Sequence, residues 1–325
     1  MKLLEVKDLK TYFSTSKGEV KAVDGVSFDL DYGQCLGLVG ESGCGKTTTA
    51  LSISGLLPKG GHVVDGSIMV EGVDYLTLSE KEIQEHRWKD VSIIFQGAMN
   101  AFNPVKKVGW QIAEACIRHQ GMTKDEAWDK AGQLFELVGI PAERVTQYPH
   151  EFSGGMRQRA MIAMALACDP KLIIGDEPTT ALDVMIQAQI LELLEELRQK
   201  LNMGMIIITH DLSILGETCN KIAVMYAGKI AEMGSVEDIF ERPLHPYTKA
   251  LLDCFPNITD DERTIPEGIP GTPPSLLDPP EGCRFCPRCK YATEACSEAE
   301  PEFFEAQPGH FVSCHLVGKG GELNG

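Results

Sequence analysis

The sequence predicts an α/β fold with a largely parallel sheet, preceded by an antiparallel β portion, interrupted by a helical insertion and followed by a small cysteine-rich tail. Three observations lead there. Four apolar stretches, CLGLVG, VSIIFQ, PKLIIGD and MGMIIITH, have the near-continuous hydrophobicity of strands buried on both faces. Segments with apolar residues at helical spacing lie between them. The first of the four enters a glycine loop, GESGCGKTTT from Gly40 to Thr49, and leaves it through ALSISGLL, whose spacing suits a helix.

Taken in order, residues 1–39 read as β-structure, with LLEVKDL and VKAVDGVSFDL on either side of the polar turn STSKGE. After the loop helix come a strand and turn in GSIMVEGVDYL, a charged helix near LSEKEIQEHRW, and the buried strand VSIIFQ ending at Gln96. GAMNAFNPV then reads as loop. From Val108 to Val138 the apolar residues Trp110, Ile112, Ala113, Ala115, Cys116, Ala127, Ala131, Leu134 and Leu137 recur at helical spacing. These residues belong to a helical insertion, about 97–165, between two strands of the parallel sheet. FSGGM opens the next apolar helix, PKLIIGDEP is a strand ending in two acids, and VMIQAQILELLEELRQKL is an amphipathic helix from Val184 to Leu201. MGMIIITHD is another buried strand, ending at His210.

Composition bounds the function. A chain of 325 residues has room for one large α/β domain with an appendage, or for two modest domains. With 43% hydrophobic and 24% charged residues it has a globular composition, which excludes wholesale disorder. The longest uninterrupted apolar run, MIAMALAC, falls well short of the roughly 18 residues of a membrane span. The N-terminal MKLLEVKDLKTYF alternates like a strand and lacks the apolar core of a signal peptide, so a cytosolic protein is expected. A net charge of −17 sets nucleic acid aside as a partner, since a phosphate backbone calls for a basic face.

The order strand, glycine loop, helix is what a triphosphate needs. A helix start offers unpaired N–H groups and the positive end of its dipole, and glycines let the backbone curl around a phosphate. Gly40, Glu41, Ser42, Gly43, Cys44, Gly45, Lys46, Thr47 and Thr48 form the candidate nucleotide-binding set, with Lys46 reaching the outer phosphates and the Thr47 hydroxyl placed for Mg²⁺. Asp176 at a strand end is positioned to hold Mg²⁺ through water, and Glu177 beside it to orient or deprotonate an attacking water. An acid after a buried strand taken alone reads as a helix cap. Ser153, Gly154 and Gly155 make a second candidate anion site at a helix start. Tyr12 and Phe13 read as core, or as a platform for a purine base.

These residues resemble the ATP-binding subunit of an ABC transporter over roughly residues 1–255. GESGCGKT resembles the Walker A motif, LIIGDE Walker B, FSGGM the ABC signature, ALD from Ala181 to Asp183 the D-loop, Gln96 the Q-loop glutamine and His210 the H-loop switch. FSGGMRQR and RPLHPYTKALL resemble the oligopeptide and dipeptide permease subfamily. The resemblance implies a RecA-like ABC ATPase core with antiparallel β and helical subdomains. It also implies two ATPase subunits closing head to tail, so that Ser153, Gly154, Gly155 and Asp183 serve the ATP held by the partner's Walker A. Glu177 would polarise water, His210 would orient it and contact the γ-phosphate, Gln96 would link Mg²⁺ to the helical insertion, and Phe13 would stack on adenine. Where many relatives carry an acid and proline after the glutamine, this chain has GAMNAFNP. The implied assembly is an importer on the cytoplasmic face of the membrane. Its other parts are a related, non-identical ATPase subunit, two separate permease chains and an extracytoplasmic solute-binding protein. Di- or oligopeptide is the favoured cargo; nickel or oligosaccharide import, a non-transport ABC ATPase and an unrelated P-loop enzyme are the alternatives.

From about 256 to the end at 325 the chain becomes an extension, delivered by the linker TIPEGIPGTPPSLLDPPEG. Six of the eleven cysteines are scattered and five lie between Cys283 and Cys314, a distribution that suits a metal site in a reducing compartment. Cys283, Cys286 and Cys289 read as CxxCxxC, and the subfamily resemblance selects Cys283, Cys289, Cys296 and Cys314, leaving Cys286 as an additional thiol. A structural [4Fe–4S] cluster, zinc, and unligated thiols are all open readings. The closing GKGGELNG reads as disordered.

Overall fold

A computed structural model describes residues 2–97, 101–180, 182–254 and 268–318. Ala181 of the ALD string, residues 98–100 of the expected loop, the first part of the expected linker and nearly all of GKGGELNG lie outside them.

Two long antiparallel strands, β1 (Lys2–Thr15) and β2 (Gly18–Asp31), begin the fold. The turn between them is tighter than STSKGE suggests, because pairing continues to Thr15 and Gly18. β3 (Cys35–Val39) enters the glycine loop, and α1 (Lys46–Ile53) leaves it. β4 (Gly61–Val70) and β5 (Val73–Asp74) complete a four-stranded antiparallel sheet in the order β2-β1-β4-β5. α2 (Glu80–His86) starts at a reciprocal Ser79/Glu82 capping box and is followed by β6 (Val91–Ile94).

The insertion folds as two helices rather than one continuous run. α3 (Val108–Gln120) stops at Gly121, whose left-handed φ of 68° ends the helix, and α4 (Lys124–Leu137) restarts at a Thr123/Glu126 capping box. α5 (Gly154–Ala165), capped by Ser153, then returns the chain to β7 (Leu172–Asp176). α6 (Val184–Leu201) has the bounds its amphipathic pattern predicts. β8 (Gly204–Thr209), α7 (Leu212–Thr218), β9 (Lys221–Tyr226), β10 (Lys229–Ser235), α8 (Val236–Glu241) and α9 (Pro246–Asp253) follow.

β6, β7, β8, β3 and β9 are neighbours in that order and pair parallel. Alternate residues of these strands face two cores. Leu36, Leu38, Leu172, Ile174, Ile206 and Ile208 pack toward the antiparallel sheet, while Cys35, Val39, Ile173, Met205 and Ile207 pack toward the helices. Burial on both faces explains why these segments read as continuous apolar runs.

The extension folds back onto this core. Beyond the linker it forms α10 (Glu294–Glu298), β11 (Phe304–Gln307) and β12 (His310–Val312), and β12 pairs antiparallel with β10, so the sheet gains two strands. The buried Phe285 belongs to the helical-side core, with Cys283 and Cys289 packed against it. Glu232 on β10 is 0% exposed and accepts bonds from His310 Nε2 (2.7 Å), the Leu244 N–H (2.7 Å) and the His245 N–H (2.9 Å). That buried carboxylate joins core, HPY segment and extension.

Candidate active site

The carboxyl ends of four adjacent parallel strands meet at one edge of the sheet. β3 delivers the glycine loop, β8 delivers His210, β7 ends in Asp176 and Glu177, and β6 leads to Gln96. Lys46, Thr47, Gln96, Asp176, Glu177 and His210 line a single cleft of about 360 Å³.

The loop's shape depends on its glycines. Gly40 has φ 151° and a Cβ there would lie 2.1 Å from the Met225 carbonyl oxygen; Gly45 has φ 107° and a Cβ would lie 2.3 Å from the Ala22 carbonyl oxygen. No side chain fits either place. Lys46 is buried, and its ammonium donates to the carbonyls of Gly40 (2.6 Å) and Glu41 (3.1 Å). The first N–H groups of α1 face the same cleft without a side-chain cap.

The two acids differ in environment. Asp176 is 3% exposed; burial pushes its carboxyl up, partly offset by a hydrogen bond with Thr47. The oxygen pair formed by the Thr47 hydroxyl and the Asp176 carboxylate is the kind of donor set that suits Mg²⁺. Glu177 turns out of β7 with a left-handed φ of 48°, its N–H bonded to the Ile208 carbonyl at 2.8 Å. Its carboxylate receives Gln96 Nε2 (2.6 Å) and Thr180 Oγ1 (2.9 Å), with His210 Nδ1 at 3.2 Å. Burial raises this carboxyl, but the bonds from Thr180 and His210 and the charges of His210 and Lys46 outweigh it and hold it below the ordinary range.

Other expected residues lie elsewhere. Ser153, Gly154 and Gly155 form the start of α5, with Ser153 Oγ accepting from the Met156 N–H, and Asp183 caps α6; none lines the cleft. Phe13 packs its ring against Gly61 and Tyr12 donates to Asp24 at 2.7 Å, so neither aromatic lines the cleft. Residues not anticipated from the sequence also bear on the site. Thr180 supports Glu177, and Tyr247 of the HPY string accepts from the Glu41 N–H at 3.0 Å. Arg288 grips the Glu41 carboxylate through two bonds, at 2.6 and 3.1 Å. The first of these could have been sought in DEPTT; the other two contacts span more than 200 residues and leave no local signal.

Among the described residues no group of three or more His, Cys, Asp and Glu side chains is drawn together closely enough to hold a metal ion, so the four-thiol expectation has no support from side-chain geometry. Burial pushes the Cys283 thiol up to about 11 and also raises Cys289 and Cys314.

A family model described as ABC transporter matches residues 23–180, and one described as the C-terminal region of oligopeptide/dipeptide transporters matches residues 231–296. The chain is 50% identical over 319 residues to the oligopeptide transport ATP-binding protein OppD of Bacillus subtilis, covering 97% of this chain and 89% of that one. It is 47% identical over 320 residues to the dipeptide transport ATP-binding protein DppD of Lactococcus lactis, covering 97% and 91%. Among solved structures, a dimeric ATP-binding cassette in a post-hydrolysis state with ADP and Pi matches with a TM-score of 0.64 at 22% identity, covering 72% of this chain and 98% of that one. A Clostridium perfringens protein described as part of an ABC transporter complex matches with a TM-score of 0.64 at 26% identity, covering 75% and 92%.

Proposed function

We propose a transport role from one premise: the chain belongs to the ATP-binding proteins of ABC transporters, in the branch that carries the oligopeptide/dipeptide C-terminal region. It is the ATP-hydrolysing subunit of a membrane importer for di- or oligopeptides. The observation that carries this reading is the meeting of Lys46, Thr47, Gln96, Asp176, Glu177 and His210 in one cleft, on a chain similar over nearly its whole length to peptide-transport ATP-binding proteins.

Lys46 and the N–H groups of the loop and α1 bind the β- and γ-phosphates of ATP. The Thr47 hydroxyl and the Asp176 carboxylate would hold Mg²⁺, which would supply neutralisation of the negative charge developing on the phosphates. Glu177, ionised and oriented by Gln96 and Thr180, takes the proton of the attacking water, and His210 holds that water toward the γ-phosphate. Gln96 links this event to the helical insertion; Phe13, whose ring lies against Gly61 outside the phosphate cleft, is the aromatic assigned to stack on adenine beyond that cleft.

The signature residues Ser153, Gly154 and Gly155, with Asp183, complete the site of a second, related ATPase subunit rather than this chain's own. Their absence from the cleft supports this, as do the exposed apolar side chains of Val184 (80%) and Met185 (75%) beside Asp183. No helix of the described residues is long and apolar enough to cross a membrane. The pathway is therefore assigned to two permease chains, with this subunit on their cytoplasmic face and a solute-binding protein outside.

For Cys283, Cys289, Cys296 and Cys314 the reading is a thiolate-held structural centre, [4Fe–4S] with zinc as the alternative. It rests on the grouping of five cysteines between Cys283 and Cys314 in the sequence, while the described side chains form no metal-holding group. Iron, sulfide and zinc assays on chain purified without oxygen decide it, and a preparation with neither metal ends this reading.

The transport assignment is tested with the complete transporter in vesicles. ATP-driven uptake of labelled di- and oligopeptides is expected, abolished by Lys46→Ala. Uptake of nickel or an oligosaccharide without peptide would replace the cargo assignment, and ATP turnover without uptake of any solute would remove the transport role.

A further inference from the structure

We propose that Arg288, on the cysteine-bearing turn of the extension, is a positioning residue for the phosphate loop, holding Glu41 so that its carboxylate stays away from Lys46. Glu41 is fixed at three points. Its N–H donates to Tyr247 Oη at 3.0 Å, its carbonyl accepts from Lys46 Nζ at 3.1 Å, and its carboxylate is held by Arg288.

The Arg288 side chain is 4% exposed, and all five of its donors are used. Nε donates to the Pro270 carbonyl (2.7 Å). Nη1 donates to Glu41 Oε2 (2.6 Å) and Tyr226 Oη (3.2 Å), and Nη2 to Glu41 Oε1 (3.1 Å) and the Ile269 carbonyl (3.3 Å). Such a set fixes a planar guanidinium in one orientation, which an ammonium with three donors cannot reproduce. The linker reinforces the arrangement from outside: Pro273, Pro274 and Leu276 close a small space against Glu41, Ser42 and Cys44, and the Leu276 carbonyl accepts from the Lys21 N–H.

The consequence is electrostatic. Glu41 places a negative charge on the loop that must receive a triphosphate, one residue from the Gly40 carbonyl on which Lys46 rests. With Arg288 bound, that charge is neutralised and directed to the outer side of the loop. Without it, the carboxylate is free to turn toward Lys46, competing with ATP for the ammonium and repelling the phosphates. The defect should fall on ATP binding and leave the chemistry of bound ATP unchanged, because neither Arg288 nor the Glu41 carboxylate lines the cleft.

The inference rests on the nucleotide-binding role assigned to this cleft. The test is a titration of the full chain with a fluorescent ATP analogue, and of the assembled transporter for KM and kcat. Arg288→Ala is expected to raise Kd and KM about tenfold with kcat held, and Arg288→Lys to fall between it and wild type. Glu41→Gln, which removes the competing charge, is expected to restore affinity in the Arg288→Ala background to within about threefold of wild type. A purely structural contact predicts the opposite, a double variant no better than Arg288→Ala. Should Arg288→Ala fail to fold, Arg288→Lys with and without Glu41→Gln carries the same comparison. Unchanged affinity in the Arg288 variants, or no recovery in the double variant, overturns the inference; failure of the wild-type chain to bind ATP overturns instead the role of the cleft.

Discussion

Replacing Glu177 by Gln isolates the chemical step from nucleotide binding. Glutamine has the same size and keeps an oxygen to accept from Gln96 and Thr180, now at 2.6 and 2.9 Å, so the walls of the cleft stay in place. What it loses is the charge facing His210 and the ability to take a proton. A positioned general base contributes about 10²–10⁴-fold, equivalent to about 3–5 kcal/mol on the barrier. Turnover of the assembled transporter, followed by phosphate release at saturating ATP, is expected to fall by that factor while ATP affinity stays within about threefold. The pH profile adds a second reading. Because the Glu177 carboxyl is held below its ordinary 4.5, it is ionised throughout the neutral range, and its contribution is lost only as pH falls below that value. An inflection in turnover near neutral pH would belong to another group. Glu177→Gln turning over within about tenfold of wild type would refute the assignment of Glu177 as the base.

Three further outcomes follow from the same geometry. Gly40→Ala places a Cβ 2.1 Å from the Met225 carbonyl oxygen and should cost about 3 kcal/mol or more, whereas Gly43→Ala, with φ 79° and nothing within 4 Å, should cost only the 1–2 kcal/mol, roughly, of a left-handed backbone; urea unfolding compares them. Glu232→Ala strands a buried His310 and two backbone N–H groups and should cost about 3–5 kcal/mol, read as a lower melting temperature and as earlier proteolysis after α9. Asp176→Asn removes a charge that burial disfavours, so the nucleotide-free chain should melt higher than wild type at pH 7 and lose that advantage as acid protonates Asp176; the same variant should need more Mg²⁺ to bind ATP.

The parts of the fold legible in the sequence are those made by local rules. The strand, loop and helix around Lys46 follow from glycine placement and apolar runs, and α6 follows from its amphipathic period with bounds that match. The break at Gly121–Thr123 was written there as well, as a glycine stop and a Thr-x-x-Glu start, but the apolar residues recur in phase on both sides and conceal it. Gln96, Asp176, Glu177 and His210 could be assembled because parallel strands bring their carboxyl ends to one edge. The return of the extension could not. β12 is three residues long, its pairing with β10 joins Glu232 to Val312 and Met233 to Phe311 across about eighty residues of sequence, and the buried His310–Glu232 contact has no periodic signature. Arg284 and Arg288 look like surface charges between cysteines, yet one binds Asp24 and the other Glu41, so the segment read as an appendage is held against both the first sheet and the phosphate loop.

The central claim is that the cleft around Lys46 is one half of a catalytic site whose other half comes from another subunit. ATP hydrolysis per chain, measured for the isolated subunit across dilution and then in the assembled transporter, tests it most directly. The expected result is stoichiometric ATP binding with little turnover by the dilute subunit. Turnover should rise by on the order of a hundredfold on assembly, and Gly154→Asp in this chain should remove the share of that turnover made at the partner's site. Full turnover by a monomer that does not change on dilution would contradict it.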